Sequence, residues 1–332
     1  MHEAIPSATP ALEFEVRLDP PDISPWLPGN TGIAGVTTYD SGRPGPHVGL
    51  TPLMHGNEYS GAIVLDQLLR AGVRPVFGRL SFAFMNIEGF SRFDLRRPTV
   101  SRFIEEDMNR VWDEPVLDGP RRSVELDRAR EVRPWVDTVD VLLDLHSMLW
   151  PSDPVILCGA ADKGRQLARR IGGPIIAVAD RGHDNGRRLI DYTRFSDPST
   201  PYAANLIEAG EHWETVTVEV ALQSTAGLLR HDGFVAPEAP LPFVSVEPNR
   251  FARVTHTVTA QTTHFAFVRA FRGGEIVPER NTLLAIDGEA EIRTPYDDCL
   301  LVLPSLRPGR GHTAVRLARF DESHRLSMRG EY

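Results

Sequence analysis

Short apolar runs recur along this chain, most of them closed by glycine, asparagine or charged residues. Val48 to Leu53 reads as a buried strand, and Ala62 to Leu69 behind it follows a helical period. Leu80 to Met85 and Asp140 to Leu145 are further strands, separated by a charged helical stretch, Arg121 to Val132. Then come strand Val155 to Cys158, helix Lys163 to Ile171 and strand Ile175 to Val178. A polar loop, Asp180 to Arg188, leads to a predicted helix, Tyr202 to Ala209, and a predicted strand, Val216 to Val220. Residues 1–47 are rich in proline and glycine and carry one alternating strand, Phe14 to Leu18. Strands alternating with helices predict a mixed, largely parallel sheet covered on both faces.

The pattern changes near Val235, where Pro237, Pro240 and Pro242 follow in quick succession. Beyond them helical periodicity fades and short strands take over: Arg253 to Thr259, Thr263 to Phe271, Leu283 to Ile286, Leu300 to Leu303 and Ala314 to Phe320. The expected organisation is an α/β domain over residues 1–235 and a small all-β domain over 236–332. A length of 332 residues accommodates both. No internal repeat interrupts this scheme.

Composition narrows the function classes. A hydrophobic content of 41% with 24% charged residues is that of a soluble globular protein. The net charge of −9 argues against nucleic acid or an anionic membrane as the main partner. No apolar stretch is long enough to span a bilayer, and Met1 to Pro6 lacks the basic start of a signal peptide. Cys158 and Cys299 lie in apolar runs and read as small buried hydrophobes, consistent with a cytoplasmic setting. A homo-oligomer is left open.

The chemistry begins where the first strand ends, at Leu53-Met54-His55-Gly56-Asn57-Glu58. A strand end feeding a turn is where open α/β sheets place ligand sites. His55 and Glu58 can converge there on one ion, and imidazole with carboxylate suits zinc. Alone, such a pair is more often a turn histidine beside a solvated glutamate. A second strand, however, ends in Asp144-Leu145-His146, where Asp144 alone reads as a capping aspartate. A pair of ligands from one strand end and a distant third from another is a common plan for catalytic zinc, leaving the fourth position for water.

Taken together, four ordered segments resemble the succinylglutamate desuccinylase/aspartoacylase family, relatives of the zinc carboxypeptidases. They are His55 to Glu58, Arg102 to Arg110, Asp144 to His146, and Val218-Glu219-Val220 with Gly227 to Arg230. The resemblance implies a carboxypeptidase-like α/β domain with a β-rich cap, and one zinc per chain on His55, Glu58 and His146. It assigns the general base to Glu219, which lies in a β-branched run and would otherwise read as a solvent-facing strand residue. Glu208 reads as an exposed helix residue. Arg102, five residues before Asp107, would stabilise the oxyanion. Asn109 and Arg110 would clamp a substrate carboxylate, with Asp107 orienting them. Tyr296 would reach the site from the β domain.

Two departures bear on specificity. Where the family has Glu-x-Gly, the chain has Glu219-Val220-Ala221, and the arginine expected ten residues before the base is Ala209. Specificity for N-acetylaspartate is therefore not implied, and Arg194 is a loop residue that could replace that arginine. The expected function is a zinc-dependent amidohydrolase acting on a small N-acyl amino acid or related carboxylate amide. The alternatives are a metallocarboxypeptidase acting on peptides and an inactive binding protein on the same scaffold.

Overall fold

A computed structural model describes residues 14–171, 176–182, 185–244 and 250–321. The expectation at the N-terminal start, within residues 1–13, and the His183-Asp184 centre of the polar loop lie outside the described residues. At one edge of the main sheet, β1 (Val36–Asp40) runs antiparallel to β3 (Arg79–Ala83). Next come β2 (His47–Pro52), β4 (Val141–Met148), β7 (Ala203–Glu211), β5 (Val155–Leu157) and β6 (Ile176–Ala179). β2 pairs in parallel with both β3 and β4, and β4 pairs in parallel with β7.

Alternate residues of these strands feed two different cores, because successive side chains point to opposite faces. Leu143, Leu145 and Ile207 pack under α1 (Ser60–Arg70), α5 (Asp162–Ile171) and α7 (Thr215–Arg230). Leu142 and Leu206 face the other way, toward α4 (Val124–Val136), whose Leu126, Ala129, Val132 and Val136 are buried. Shorter helices, α2 (Ile87–Ser91), α3 (Glu114–Leu117) and α6 (Thr193–Ser196), fill the connections. The expected helix-covered mixed sheet is present.

The C-terminal third joins the same sheet. β8 (Arg250–Thr259) pairs in parallel with β6, and β14 (Thr313–Phe320), β13 (Cys299–Val302) and β10 (Ile276–Val277) extend it antiparallel to eleven strands. A separate three-stranded sheet holds β9 (Phe265–Phe267), β11 (Leu283–Asp287) and β12 (Ala290–Arg293). Cys158 and Cys299 are free and buried. Among the described residues no helix is long and apolar enough to cross a membrane.

Two adjacent expectations exchange places. Of Tyr202 to Ala209, rich in helix formers, all but Tyr202 lie in strand β7, in the middle of the sheet. The β-branched run after it opens helix α7, which buries Val218, Ala221, Thr225, Leu228 and Leu229 at helical spacing. Burial between neighbours overrode local propensity in both segments. Phe14 to Leu18 is not a strand; Phe14 instead packs edge-on against Trp150 and Trp213.

Candidate metal centre and active-site cavity

β2 delivers the chain to Leu53, which adopts a left-handed φ of 64° and turns it sharply toward His55. Such a conformation in a branched residue is strained and persists where the surroundings impose it. The following Gly56 is required by closeness: a Cβ there would lie 2.3 Å from Gly89 C and 2.5 Å from Ser101 O. Gly56 N–H also donates to Arg102 O (3.0 Å), tying the turn to the segment that carries the arginine.

His55, Glu58 and His146 come together, all buried, with a ligand atom from each lying within 4.8 Å of the others. His55 Nδ1 is 2.8 Å from Glu58 Oε1, and His146 Nδ1 is 2.8 Å from Glu58 Oε2. Both far ring nitrogens meet other carboxylates: His55 Nε2 reaches Asp107 Oδ1 at 2.9 Å, and His146 Nε2 reaches Asp144 Oδ2 at 2.9 Å. A carboxylate there holds the ring proton on Nε2 and frees Nδ1 to coordinate. His55 Nδ1 is buried, and its close approach to Glu58 Oε1 is not aligned as a hydrogen bond, the state expected of a metal-facing nitrogen. The donor set therefore fits a divalent cation. Burial alone would raise the pKa of Glu58, but His55 and His146 hold it well below the usual carboxylate range. Asp107 is likewise held low against burial, by His55, Arg102 and Arg110. Thus Asp107 orients His55, and Asp144 orients His146 rather than capping a turn.

Arg102 Nη1 donates to Glu58 Oε1 (2.7 Å), with its Nη2 2.9 Å from His55 Nε2. A cavity of about 160 Å³ opens beside this cluster. Its lining includes Asn109, Arg110, Glu208 and His212, while Leu303, Pro304 and Ser305 of the C-terminal third close one wall. Asn109 Oδ1 accepts from Leu189 N–H at 2.9 Å, fixing the residue next to Arg110. The Arg110 pKa is pushed down to about 10 by burial and by Arg102, Arg188 and Arg316, against the pull of Asp107. That concentration of positive charge favours an anion.

The expected base is displaced. Glu219 lies on the exposed face of α7 and is not among the cavity-lining residues. Glu208, on β7 and directly opposite His146 in the β4–β7 register, lines the cavity instead. Its Oε2 is buried without a partner, and its pKa is pushed up to about 7. Burial is the main cause and Glu58 adds to it, while His146, His55 and Arg102 pull the other way. The missed signal was Glu208-Ala209-Gly210, which supplies the Glu-x-Gly absent at Glu219. Gly210 is needed there: its φ is 144°, and a Cβ would meet Thr217 Oγ1 at 2.6 Å.

Two further candidates lie elsewhere. Tyr296 is buried in the C-terminal core, its hydroxyl 2.6 Å from Thr255 Oγ1 and its ring under Arg319. Arg194 donates to Val139 O and covers the Tyr202 ring. Both are engaged in packing, away from the cavity lining.

Residues 44–168 match the model of the succinylglutamate desuccinylase/aspartoacylase catalytic domain. That stretch carries the pattern of this family's catalytic domain. The family itself is one of deacylases, hydrolases of amide bonds. No curated protein matches it. Among solved structures it is similar to succinylglutamate desuccinylase from Vibrio parahaemolyticus (16% identity, 86% of each chain, TM-score 0.64). It also resembles a succinylglutamate desuccinylase/aspartoacylase from Rhodobacter sphaeroides, at 17% identity over 86% of this chain and 89% of that one, TM-score 0.61. A third likeness is the product-bound ectoine utilization protein EutE from Ruegeria pomeroyi, at 16% identity over 85% and 88%, TM-score 0.60. At these identities the likeness is one of fold.

Proposed function

We propose that this protein is a zinc-dependent amidohydrolase that removes the acyl group from a small N-acyl amino acid or related carboxylate amide. One observation carries the reading: two carboxylate-backed histidines converge on Glu58 while the unpartnered Glu208 faces the same cavity. His55, Glu58 and His146 would hold the ion, which when bound supplies a Lewis acid that acidifies water and polarises a carbonyl. Glu208, with a pKa near neutrality, takes the proton from the attacking water and passes one to the leaving nitrogen. Arg102 faces the developing oxyanion, and Asn109 with Arg110 receives the substrate carboxylate. The free buried cysteines accord with a cytoplasmic setting.

Elemental analysis of the purified protein beside His146→Ala tests this directly. About one zinc per chain in the parent and loss in the variant, followed by turnover of N-acyl amino acids, are expected. A parent that binds no zinc after reconstitution refutes the mechanism. Preference for long peptides over N-acyl amino acids would favour a carboxypeptidase.

A further inference from the structure

His212 directly follows β7, four residues beyond Glu208, and lines the same cavity although only 6% of it is exposed. Its N–H donates to Met148 O at 2.7 Å, and its ring leans on Trp213 with centroids 5.1 Å apart. Trp213, at a left-handed φ of 61°, in turn donates Nε1–H to Asn57 O (3.0 Å), inside the His55–Glu58 turn. The imidazole is thus fixed to the same backbone that carries the metal-site residues.

His212 Nδ1 lies 2.7 Å from Ser147 Oγ. Among the described residues that nitrogen is the serine hydroxyl's partner, while His212 Nε2 has none and is not sealed from the cavity. We assign Oγ–H as the donor to Nδ1, the tautomer that puts the ring proton on Nε2, facing the cavity. The ring stays neutral: burial lowers its pKa to about 4, with Arg102, His55 and His146 adding to the effect and Glu58 opposing it. The arginines of the cavity are committed: Arg188 is forked between Asp180 and Asp191, Arg102 is held by Glu58 and Asp107, and Arg110 with Asn109 takes the amino acid carboxylate in the reading above.

Resting on the deacylase reading above, we propose that His212, oriented by Ser147, donates its Nε2–H to an uncharged oxygen of the bound substrate, so that the site selects a neutral acyl group over one ending in a carboxylate. A terminal carboxylate would face a neutral donor and the carboxylates Glu58 and Glu208. A buried charge so placed costs more than one hydrogen bond returns. Met148, Leu149, Trp150, Leu303 and Pro304 supply apolar lining suited to a neutral chain.

The test is steady-state kinetics on N-acetyl, N-propionyl and N-succinyl derivatives of one amino acid, with zinc content measured for every variant. The parent should favour the neutral acyl groups. His212→Phe should raise KM for them about tenfold or more, with kcat changed far less and zinc retained. His212→Gln, whose amide N–H reaches a similar position, should restore most of that loss, and Ser147→Ala should fall between. An unchanged KM in His212→Phe, no rescue by glutamine, or a parent preference for the succinyl compound would each overturn the proposal while leaving the deacylase reading intact. If His212→Phe does not fold, the Gln and Ala variants decide: KM within twofold of the parent in Ser147→Ala overturns it. A zinc-loaded parent that hydrolyses none of the panel removes the deacylase reading and this inference together.

Discussion

Glu208 and Glu219 are the same residue type eleven positions apart, and their surroundings give them opposite fates. Glu208→Gln should lower turnover by about 10²–10⁴-fold with zinc content unchanged. Glu219→Gln should leave turnover within about twofold, since its side chain meets solvent. Equal losses in the two variants would contradict the assignment to β7. The carboxylates behind the histidines are predicted to act on metal affinity: Asp144→Asn or Asp107→Asn should weaken zinc binding by about 10–100-fold in a competitive chelator titration. His55, Glu58 and His146 could be singled out because each closes an apolar strand-like run, and the family resemblance joined them into one set. The carboxylate that lines the cavity could not, because which carboxylate is desolvated depends on what packs over it.

The elements β7 and α7 show where pattern reading fails. A central strand buried on both faces loses the alternation that marks a strand, and Ala-Ala-Asn-Leu-Ile-Glu-Ala then resembles a helix. The first turn of α7 is β-branched, yet its apolar spacing over sixteen residues is helical. At the junction of β2 and α1, Gly56→Ala should cost about 1–3 kcal/mol in chemical denaturation, since the added methyl meets backbone that cannot rotate away. β2 also contains a pH-sensitive seam. His47 is buried between Thr138 O and Ser81 Oγ, and burial with nearby Arg79 lowers its pKa to about 4. The folded state therefore binds fewer protons than the unfolded chain, whose histidine titrates near 6.5, so stability falls as pH drops from 6.5 toward 4. His47→Gln should flatten that part of the Tm–pH profile; an unchanged slope would mean that other groups set it.

At the scale of the whole molecule, the β-rich C-terminal third is hydrogen-bonded into the α/β sheet through β6 and β8. It also places Arg316 against Asp180, the carboxylate that forks Arg188, and sets Leu303, Pro304 and Ser305 on the cavity. We predict that a chain ending at residue 235 shows no cooperative thermal transition by circular dichroism, because the β6 edge and a buried charge cluster lose their cover. A sharp transition near that of the full chain would show that residues 1–235 fold alone. Beyond the proline-rich stretch near Val235 the described elements are strands, but prolines do not encode whether those strands will pair with the sheet before it.

The sequence by itself determined most of the alternation of helices and strands up to the polar loop, and the two histidines and glutamate at two strand ends. Each of these follows from local apolar patterning and the residues that close a strand. Tertiary structure alone decided that Glu208 rather than Glu219 faces the ion site, that Tyr296 and Arg194 serve packing, and that His212 enters the cavity. The reason is desolvation. Whether a carboxylate or an imidazole becomes a chemical group or a surface charge depends on neighbours brought in from distant parts of the chain.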